Sequence, residues 1–142
     1  MRVMLDVNIA ADWLLKRPSF IKEAEAILDA NAKRQLVCYA AAFTIPTLFY
    51  IVRKELLLTM TRGQAEAHAF TDIAVCLKTF RISPVTYHEL TQALKYPGRD
   101  YEDKLQLACA IAQNLDAIVT RDRKFIPGFI SVLTPTQLLQ QI

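Results

Sequence analysis

This chain of 142 residues contains little cysteine, histidine or glycine. It has three cysteines, two histidines and three glycines, while 53% of its residues are hydrophobic. The odd number of cysteines excludes a closed disulfide framework, and without a C-x-x-C pair a thiolate zinc site is not indicated. Cys38, Cys76 and Cys109 each lie among apolar residues, so we expect buried thiols in a reducing cytoplasm. His68 and His88 have no neighbouring His or Cys with which to hold a metal.

Long hydrophobic runs are also missing. No apolar stretch approaches the roughly 18 residues of a membrane helix, and Asp6 interrupts the apolar start where a signal peptide would continue. We therefore expect one domain over residues 1–142 that is not bound to a membrane.

The net charge of +3 is too small to indicate a polyanionic partner by itself. The charged residues are, however, unevenly distributed along the chain. Five cations of the C-terminal third alternate with aspartates, a pattern that is also typical of a solvated surface. They are Arg99, Lys104, Arg121, Arg123 and Lys124.

Apolar periodicity alternates between short strand-like runs and longer helical runs. The predicted strands are "RVMLDV", "LVCYA", "FRISPV", "AIVT" and "FISVL". This alternation predicts an α/β fold of three layers, α/β/α, around a mainly parallel central sheet.

Capping residues mark the predicted helix starts. Asn8, Thr44 and Asp100 are expected to cap the helices that follow them. Capping boxes, in which Ser or Thr is followed three residues later by Glu or Gln, begin at Thr61 and Thr86.

Aspartates occupy the points where these strands and helices meet. Asp6 follows the first strand and Asp122 follows "AIVT", while Asp103 stands in the first turn of the helix that Asp100 caps. Binding sites of open α/β sheets lie beyond the carboxyl ends of the strands, so we expect these carboxylates at one edge. Taken singly, each has an ordinary explanation as a cap or turn residue.

Taken together, the acids indicate a metal site. Converging carboxylates repel one another and raise their own pKa values, and a divalent cation removes that repulsion. Oxygen ligands without His or Cys favour Mg²⁺ or Mn²⁺. Such an ion, with Arg and Lys nearby to hold a phosphate backbone, is suited to phosphodiester hydrolysis.

Three segments resemble the PIN-domain family, including the ribonuclease toxins of VapBC-type toxin–antitoxin pairs. They are "MLDVNIAADWL", "YEDKLQLACAIAQNLDAIVTRD" and "SVLTPTQLL", and they keep the family's order over almost the whole chain. The resemblance implies a Mg²⁺- or Mn²⁺-dependent cytoplasmic endoribonuclease that acts on RNA, has a cognate antitoxin and forms a homodimer.

The resemblance also implies roles for individual residues. Asp6 and Asp103 match the metal-holding carboxylates, and Asp122 matches the further acid after the fourth strand. Asn8 and Thr120 match polar positions beside these acids. Two roles stay open for Asp100, which either helps to hold the metal or only caps its helix. RNA backbone contacts are expected from the cations that surround the last acid, which are Arg121, Arg123 and Lys124.

One position departs from the family. Many active members carry an acid on the helix after the second strand, whereas "FTIPTLFYIVRK" has none. Thr47 falls at about that place, one turn after Thr44, and Glu55 lies about 12 Å further along. The site therefore binds its metal weakly, uses a hydroxyl or water instead, or is inactive.

Two other functions compete with the ribonuclease. One is a catalytically weak or inactive binding module on the same fold, which the missing acid favours. The other is a phosphoryl-acceptor domain with Asp6 as nucleophile, which is disfavoured because Asn8 occupies the usual place of a second aspartate.

The helix after the second strand is richer in large apolar residues than one buried stripe requires. These residues predict either ordinary burial or a surface for a dimer or an antitoxin helix. They are Phe49, Tyr50, Leu56, Leu57 and Leu58.

Overall fold

The fold is described from a computed structural model, which covers residues 1–123, 125 and 129–142. Its strands are β1 (Arg2–Leu5), β2 (Val37–Ala41), β3 (Arg81–Ser83), β4 (Ala117–Val119) and β5 (Ser131–Leu133). Its helices are α1 (Val7–Leu14), α2 (Ile21–Ala32), α3 (Thr44–Leu56), α4 (Arg62–Thr79), α5 (Tyr87–Ala93), α6 (Tyr101–Ala112) and α7 (Pro135–Leu139).

The strands form one parallel sheet in the order β3-β2-β1-β4-β5. Helices cover both faces, which confirms the predicted three-layer arrangement. The chain builds the sheet outward from β1 through β2 to β3, and then adds β4 and β5 on the other side. The strand order therefore reverses between β1 and β4, which is the point where open α/β sheets place their sites.

Both faces of the sheet are buried, because alternate side chains of each strand enter different cores. In β1, Val3 and Leu5 pack into the core formed with α1, α2, α3, α4 and α7, whereas Met4 packs into the core under α5 and α6. The strands consequently read as short continuous apolar runs. Among the described residues, no helix is long and apolar enough to cross a bilayer.

The three cysteines lie in these cores as free thiols, as predicted. Burial raises the pKa of Cys38 and of Cys76 to about 12 and that of Cys109 to about 11. A thiol that is both buried and protonated is neither a metal ligand nor a nucleophile near neutral pH. These residues therefore act as apolar packing groups.

Most of the predicted helix starts are confirmed. Thr61 and Thr86 open α4 and α5 with complete capping boxes, and Asp100 caps α6 by accepting a bond from the Asp103 amide at 3.1 Å. Thr134 opens α7 in the same way as the first two, with Pro135 at the first helical position.

Two predicted caps are wrong. Helix α1 begins immediately after the strand, so Asp6 caps it by accepting from the Val7 amide at 2.7 Å, and Asn8 already lies inside the first turn. Thr44 is likewise the first residue of α3 and is buried. The preceding Phe43 has helical backbone angles and makes no side-chain capping bond, so no polar cap opens α3.

Candidate functional site

The site is built at the carboxyl ends of β1 and β4, where the two strands lie side by side. The ladder continues one residue beyond β1, because the Asp6 amide donates to the Val119 carbonyl at 2.9 Å. Asp6 and Thr120 are thereby held next to each other, although 114 residues separate them along the chain.

A hydroxyl links the two strand ends. Thr120 Oγ1 donates to Asp6 Oδ2 at 2.5 Å and accepts from the Asp122 amide at 2.9 Å and from Asn8 Nδ2 at 3.1 Å. Asn8 Nδ2 also donates to Asp6 Oδ2, at 2.8 Å. The orientation of the Asp6 carboxylate and the turn that carries Asp122 are therefore set by the same oxygen.

Helix α6 brings the remaining acids to this point. Asp100 caps the helix and Asp103 lies in its first turn, as the sequence indicated. The polar lining of a pocket of about 230 Å³ includes the four predicted acids, the residues Asn8, Thr44 and Thr47, and two residues that the sequence did not single out. The four acids are Asp6, Asp100, Asp103 and Asp122; the two further residues are Glu102 and Gln106.

Neighbouring negative charges help to raise the pKa values of two acids in the pocket, Asp6 and Asp103. The pKa of Asp103 is raised to about 6, chiefly by burial and in addition by the negative charges of the neighbouring acids, Asp100, Asp6, Asp122 and Glu102. Burial also raises the pKa of Asp6, against the opposing effect of the bonds from Thr120 and Val7. The described lining of the pocket therefore concentrates negative charge.

The donor set suits a hard divalent cation, since carboxylate, hydroxyl and amide oxygens are the groups available. Within the described part of the chain, however, no three Asp, Glu, His or Cys side chains are grouped closely enough to form a ready-made metal site. The acids therefore line a common pocket without converging on one point, and an ion held there would keep water molecules among its ligands.

Helix α3 presents no acid to the pocket, as its sequence predicted. Thr44 and Thr47 line the wall where the family often has a carboxylate, and Thr47 Oγ1 donates to the Phe43 carbonyl at 3.1 Å. Gln106 lines the pocket from α6 and is only 3% exposed. Its amide nitrogen has no hydrogen-bond partner among the described residues.

Arg121 is engaged within the fold. Its guanidinium forms two bonds to the buried Asp12 carboxylate, at 2.6 and 3.0 Å, and lies over the Phe20 ring at 3.8 Å from the centroid. Arg17 adds a further ion pair to Asp12 at 3.2 Å. This paired fork attaches the turn that carries Asp122 to helix α1.

The other two predicted RNA-contacting cations are Arg123 and Lys124. Arg123 is exposed at the mouth of the site, where it lines a shallow pocket beside Asp122. Lys124 lies outside the described residues.

The sequence analysis missed residues that act through tertiary contacts. Asp12 carries no local signal of its role, and only the fold shows its partner 109 residues away. Glu102 could have been found, since it directly precedes Asp103 in the first turn of the same helix. Gln106 lies one turn after Asp103, a spacing that places both side chains on one face.

The sequence profile of the PIN domain matches residues 2–124. No curated protein sequence matches the chain. Among solved structures, a chain of VapBC2 from Rickettsia felis, bound to a DNA fragment from their promoter, has a TM-score of 0.68 and 21% identity. That match covers 94% of this chain and 98% of the other.

Two further structures are similar. VapC20 of Mycobacterium tuberculosis, a toxin that cleaves the sarcin–ricin loop, has a TM-score of 0.66 and 12% identity, covering 87% of this chain and 92% of that one. A toxin–antitoxin complex from Klebsiella pneumoniae also has a TM-score of 0.66, with 20% identity and coverage of 94% and 97%. At such identities, structural likeness shows a common fold, whereas the profile match shows common descent. The profile spans most of the chain, and the protein therefore belongs to the PIN-domain family.

Proposed function

We propose that the protein is a Mg²⁺- or Mn²⁺-dependent endoribonuclease that hydrolyses RNA phosphodiester bonds as the toxin of a toxin–antitoxin pair. The observation that carries the proposal is that Asp6, Asp103 and Asp122, from three separate segments, line one pocket at the strand-order reversal. Their mutual repulsion favours a divalent cation at this place.

In this proposal, the carboxylates of Asp6, Asp103 and Asp122 hold the cation, and Asp100 assists from the cap of α6. Bound there, a divalent ion supplies charge neutralisation at the phosphate and activation of a water nucleophile. Thr120 and Asn8 fix the Asp6 carboxylate so that it need not reorient when the substrate arrives.

The remaining residues position the RNA. Arg123 and Lys124 are proposed to contact its backbone beside Asp122. Arg121 was predicted to contact the RNA backbone as well. Since its guanidinium binds Asp12, we propose that it acts mainly by fixing the turn that carries Asp122. The toxin assignment draws support from similar structures that are themselves toxins or toxin–antitoxin complexes. We extend their partnership to this chain by proposing a cognate antitoxin.

Calorimetry with Mn²⁺ and Mg²⁺, followed by RNA cleavage on the same samples, tests the proposal. We expect the wild type to bind metal and cleave RNA, and Asp103→Asn to lose both. Asp29→Asn makes the same chemical change on an exposed position of α2 and should keep both activities. Cleavage that persists both with chelator and in Asp103→Asn would contradict a metal-dependent site.

A second candidate is a binding module with little or no catalysis. It is favoured by the threonines that face the pocket from α3 in place of an acid, and by the spacing of the carboxylates. It predicts salt-sensitive RNA binding by the wild type without turnover in either metal.

A further inference from the structure

A second cavity adjoins the acid pocket at the start of α6. It has a volume of about 490 Å³ and shares Asp100, Asp103 and Asp122 with the acid pocket. These three acids therefore form a wall between the two spaces. We call the second space the flanking cavity.

Two cations stand on the lining of the flanking cavity. Arg99 precedes the cap of α6 and Lys104 follows Asp103 in its first turns. Neither side chain takes part in any of the ion pairs found among the described residues. Arg99 is exposed and Lys104 half-buried, so both ammonium and guanidinium groups are available to an anion.

The rest of the lining is largely apolar. Pro97, Leu107 and Phe125 contribute it, and the side chains of Leu107 and Phe125 are nearly fully buried. Gly98, also on the lining, has a φ of 127°, which an L-residue with a side chain rarely adopts. The loop before α6 thus uses a glycine conformation directly before Arg99, which lines the same cavity.

We propose that the flanking cavity holds one nucleotide of single-stranded RNA next to the phosphate that lies at the acids. Arg99 and Lys104 bind its phosphate, and the apolar lining receives its base. The inference rests on the proposed function, since it assigns the strand path at that site.

Charge and shape together favour this occupant. A nucleotide combines a negative phosphate with a flat, largely apolar base, and the cavity offers cations at one side and an apolar surface at another. A base can enter only if it is turned out of a helix, because paired bases are stacked inside the duplex. The cavity therefore selects RNA that is unpaired at the reaction site.

The double variant Arg99→Gln/Lys104→Gln tests the cations. Its matched control, Lys33→Gln/Lys78→Gln, removes the same charge from exposed positions that precede β2 and β3, at the opposite edge of the sheet. Fluorescence anisotropy with a labelled single-stranded RNA of ten nucleotides, in chelator, measures affinity against salt.

We expect the first variant to bind roughly tenfold more weakly than the wild type. Its salt slope should fall by about 0.7, because the two cations together neutralise one phosphate of the single strand. The control should match the wild type in salt slope, and both variants should keep the wild-type melting temperature. Equal slopes for the two double variants would overturn the proposal, as would tighter binding of the same sequence in a duplex.

A titration followed by backbone-amide nuclear magnetic resonance tests the base. Adenosine monophosphate should shift the amide signals of Gly98, Arg99, Lys104 and Leu107, whereas ribose 5-phosphate should shift them less at equal concentration. Equal shifts would remove the base from the proposal. Shifts caused only by an acidic peptide such as hexaglutamate would make the cavity a peptide site and overturn it.

Cleavage assays on the same proteins separate this inference from the function on which it rests. If the wild type shows no metal-dependent cleavage but the cation variant loses RNA binding, the proposed catalysis fails and the nucleotide site stands. If the wild type cleaves and the cation variant has an unchanged KM and salt slope, the nucleotide site fails and the catalysis stands.

Discussion

At the scale of single residues, the Thr120 side chain joins three groups of the site through hydrogen bonds. Its hydroxyl donates to Asp6 and accepts from Asn8 and from the Asp122 amide, so one oxygen orients groups from two strand ends. Partners of metal-holding carboxylates typically affect metal affinity nearly as much as the ligands do. The hydroxyl therefore matters through orientation and through the charge state of Asp6.

Thr120→Val keeps the shape of the side chain and removes the hydroxyl. We expect Mn²⁺ affinity to fall roughly 10- to 100-fold, because Asp6 loses a donor and the turn at Asp122 loses its acceptor. The Thr120 hydroxyl lowers the pKa of Asp6, so this pKa should rise further in the variant. The pH below which metal affinity is lost should therefore move to a higher value. Calorimetry across pH measures both effects.

Thr120→Ser is the control for this change, because it retains the hydroxyl on a similar backbone. Its Mn²⁺ affinity should stay near that of the wild type. If valine and serine reduce affinity equally, the hydroxyl would not be the specific cause of the loss.

Asp103 shows how function opposes stability at this site. Its pKa is raised from 3.8 to about 6 in the folded protein, so the folded state holds the proton more tightly than the unfolded state. Stability from this group is thus present at low pH and is lost as pH rises through that window. Above this pH range, the metal-free folded protein contains an ionised Asp103 carboxylate that the neighbouring acids repel.

Asp103→Asn should therefore stabilise the metal-free protein at pH 7.5, by about 1–2 kcal/mol after allowance for the partial exposure of the side chain. Near pH 4 the difference from the wild type should shrink, because Asp103 is then protonated in the folded state. Urea unfolding with chelator present measures this, with Asp29→Asn as the reference. A loss of stability at pH 7.5 would show that the carboxylate contributes favourable contacts.

At the scale of helices and strands, local chemistry predicted most starts. Thr61, Thr86 and Asp100 each combine a side-chain acceptor with an acid or amide at the right spacing, and such signals act within a few residues. Asn8 was misjudged because both Asp6 and Asn8 can cap a helix. The choice depended on where the β1 ladder ended, which is a property of the sheet and not of the local sequence.

The difference between local signals and contacts between distant segments also limits what could be predicted of the site. Asp6, Asp103 and Asp122 could be assigned to one edge, because the ends of parallel strands meet there. The pairing of Asp12 with Arg121 could not, since it joins a helix to a distant turn. The sequence predicts that Arg121 contacts RNA, and it gives no sign that the guanidinium also binds Asp12 in the fold.

A substitution on helix α3 tests whether the missing acid limits metal affinity. Thr47→Glu places a carboxylate on the pocket wall where the family often has one, and we expect Mn²⁺ affinity to increase roughly tenfold because charge on the ligand set increases. Thr71→Glu is the matched control, because Thr71 on α4 is also a helical threonine whose hydroxyl donates four residues back at 3.1 Å. Calorimetry showing no gain at Thr47, or equal gains at both positions, would mean that the wall does not limit metal binding.

At the scale of the whole molecule, the apolar residues predicted on α3 form an exposed patch with α4. Tyr50 is 59% exposed and Phe70 64% exposed, and the Phe49 ring lies between them at 5.4 and 4.7 Å. Leu57 and Leu58 are exposed at the end of α3, whereas Leu56 is half-buried. Ordinary burial therefore explains only part of this set.

We expect this aromatic patch to be the contact between two copies in the homodimer that the family resemblance implies. Clustered exposed aromatic rings are typical of interface centres, and a charge there is costly to bury. Tyr50→Glu/Phe70→Glu should shift sedimentation equilibrium from dimer to monomer and leave the fold intact. Tyr87→Glu/Leu94→Glu, which changes residues on and just after α5 that are 82% and 68% exposed, should remain dimeric because it adds the same charges to another surface. If the wild type is monomeric, or if the patch variant stays dimeric, two copies do not meet at this surface.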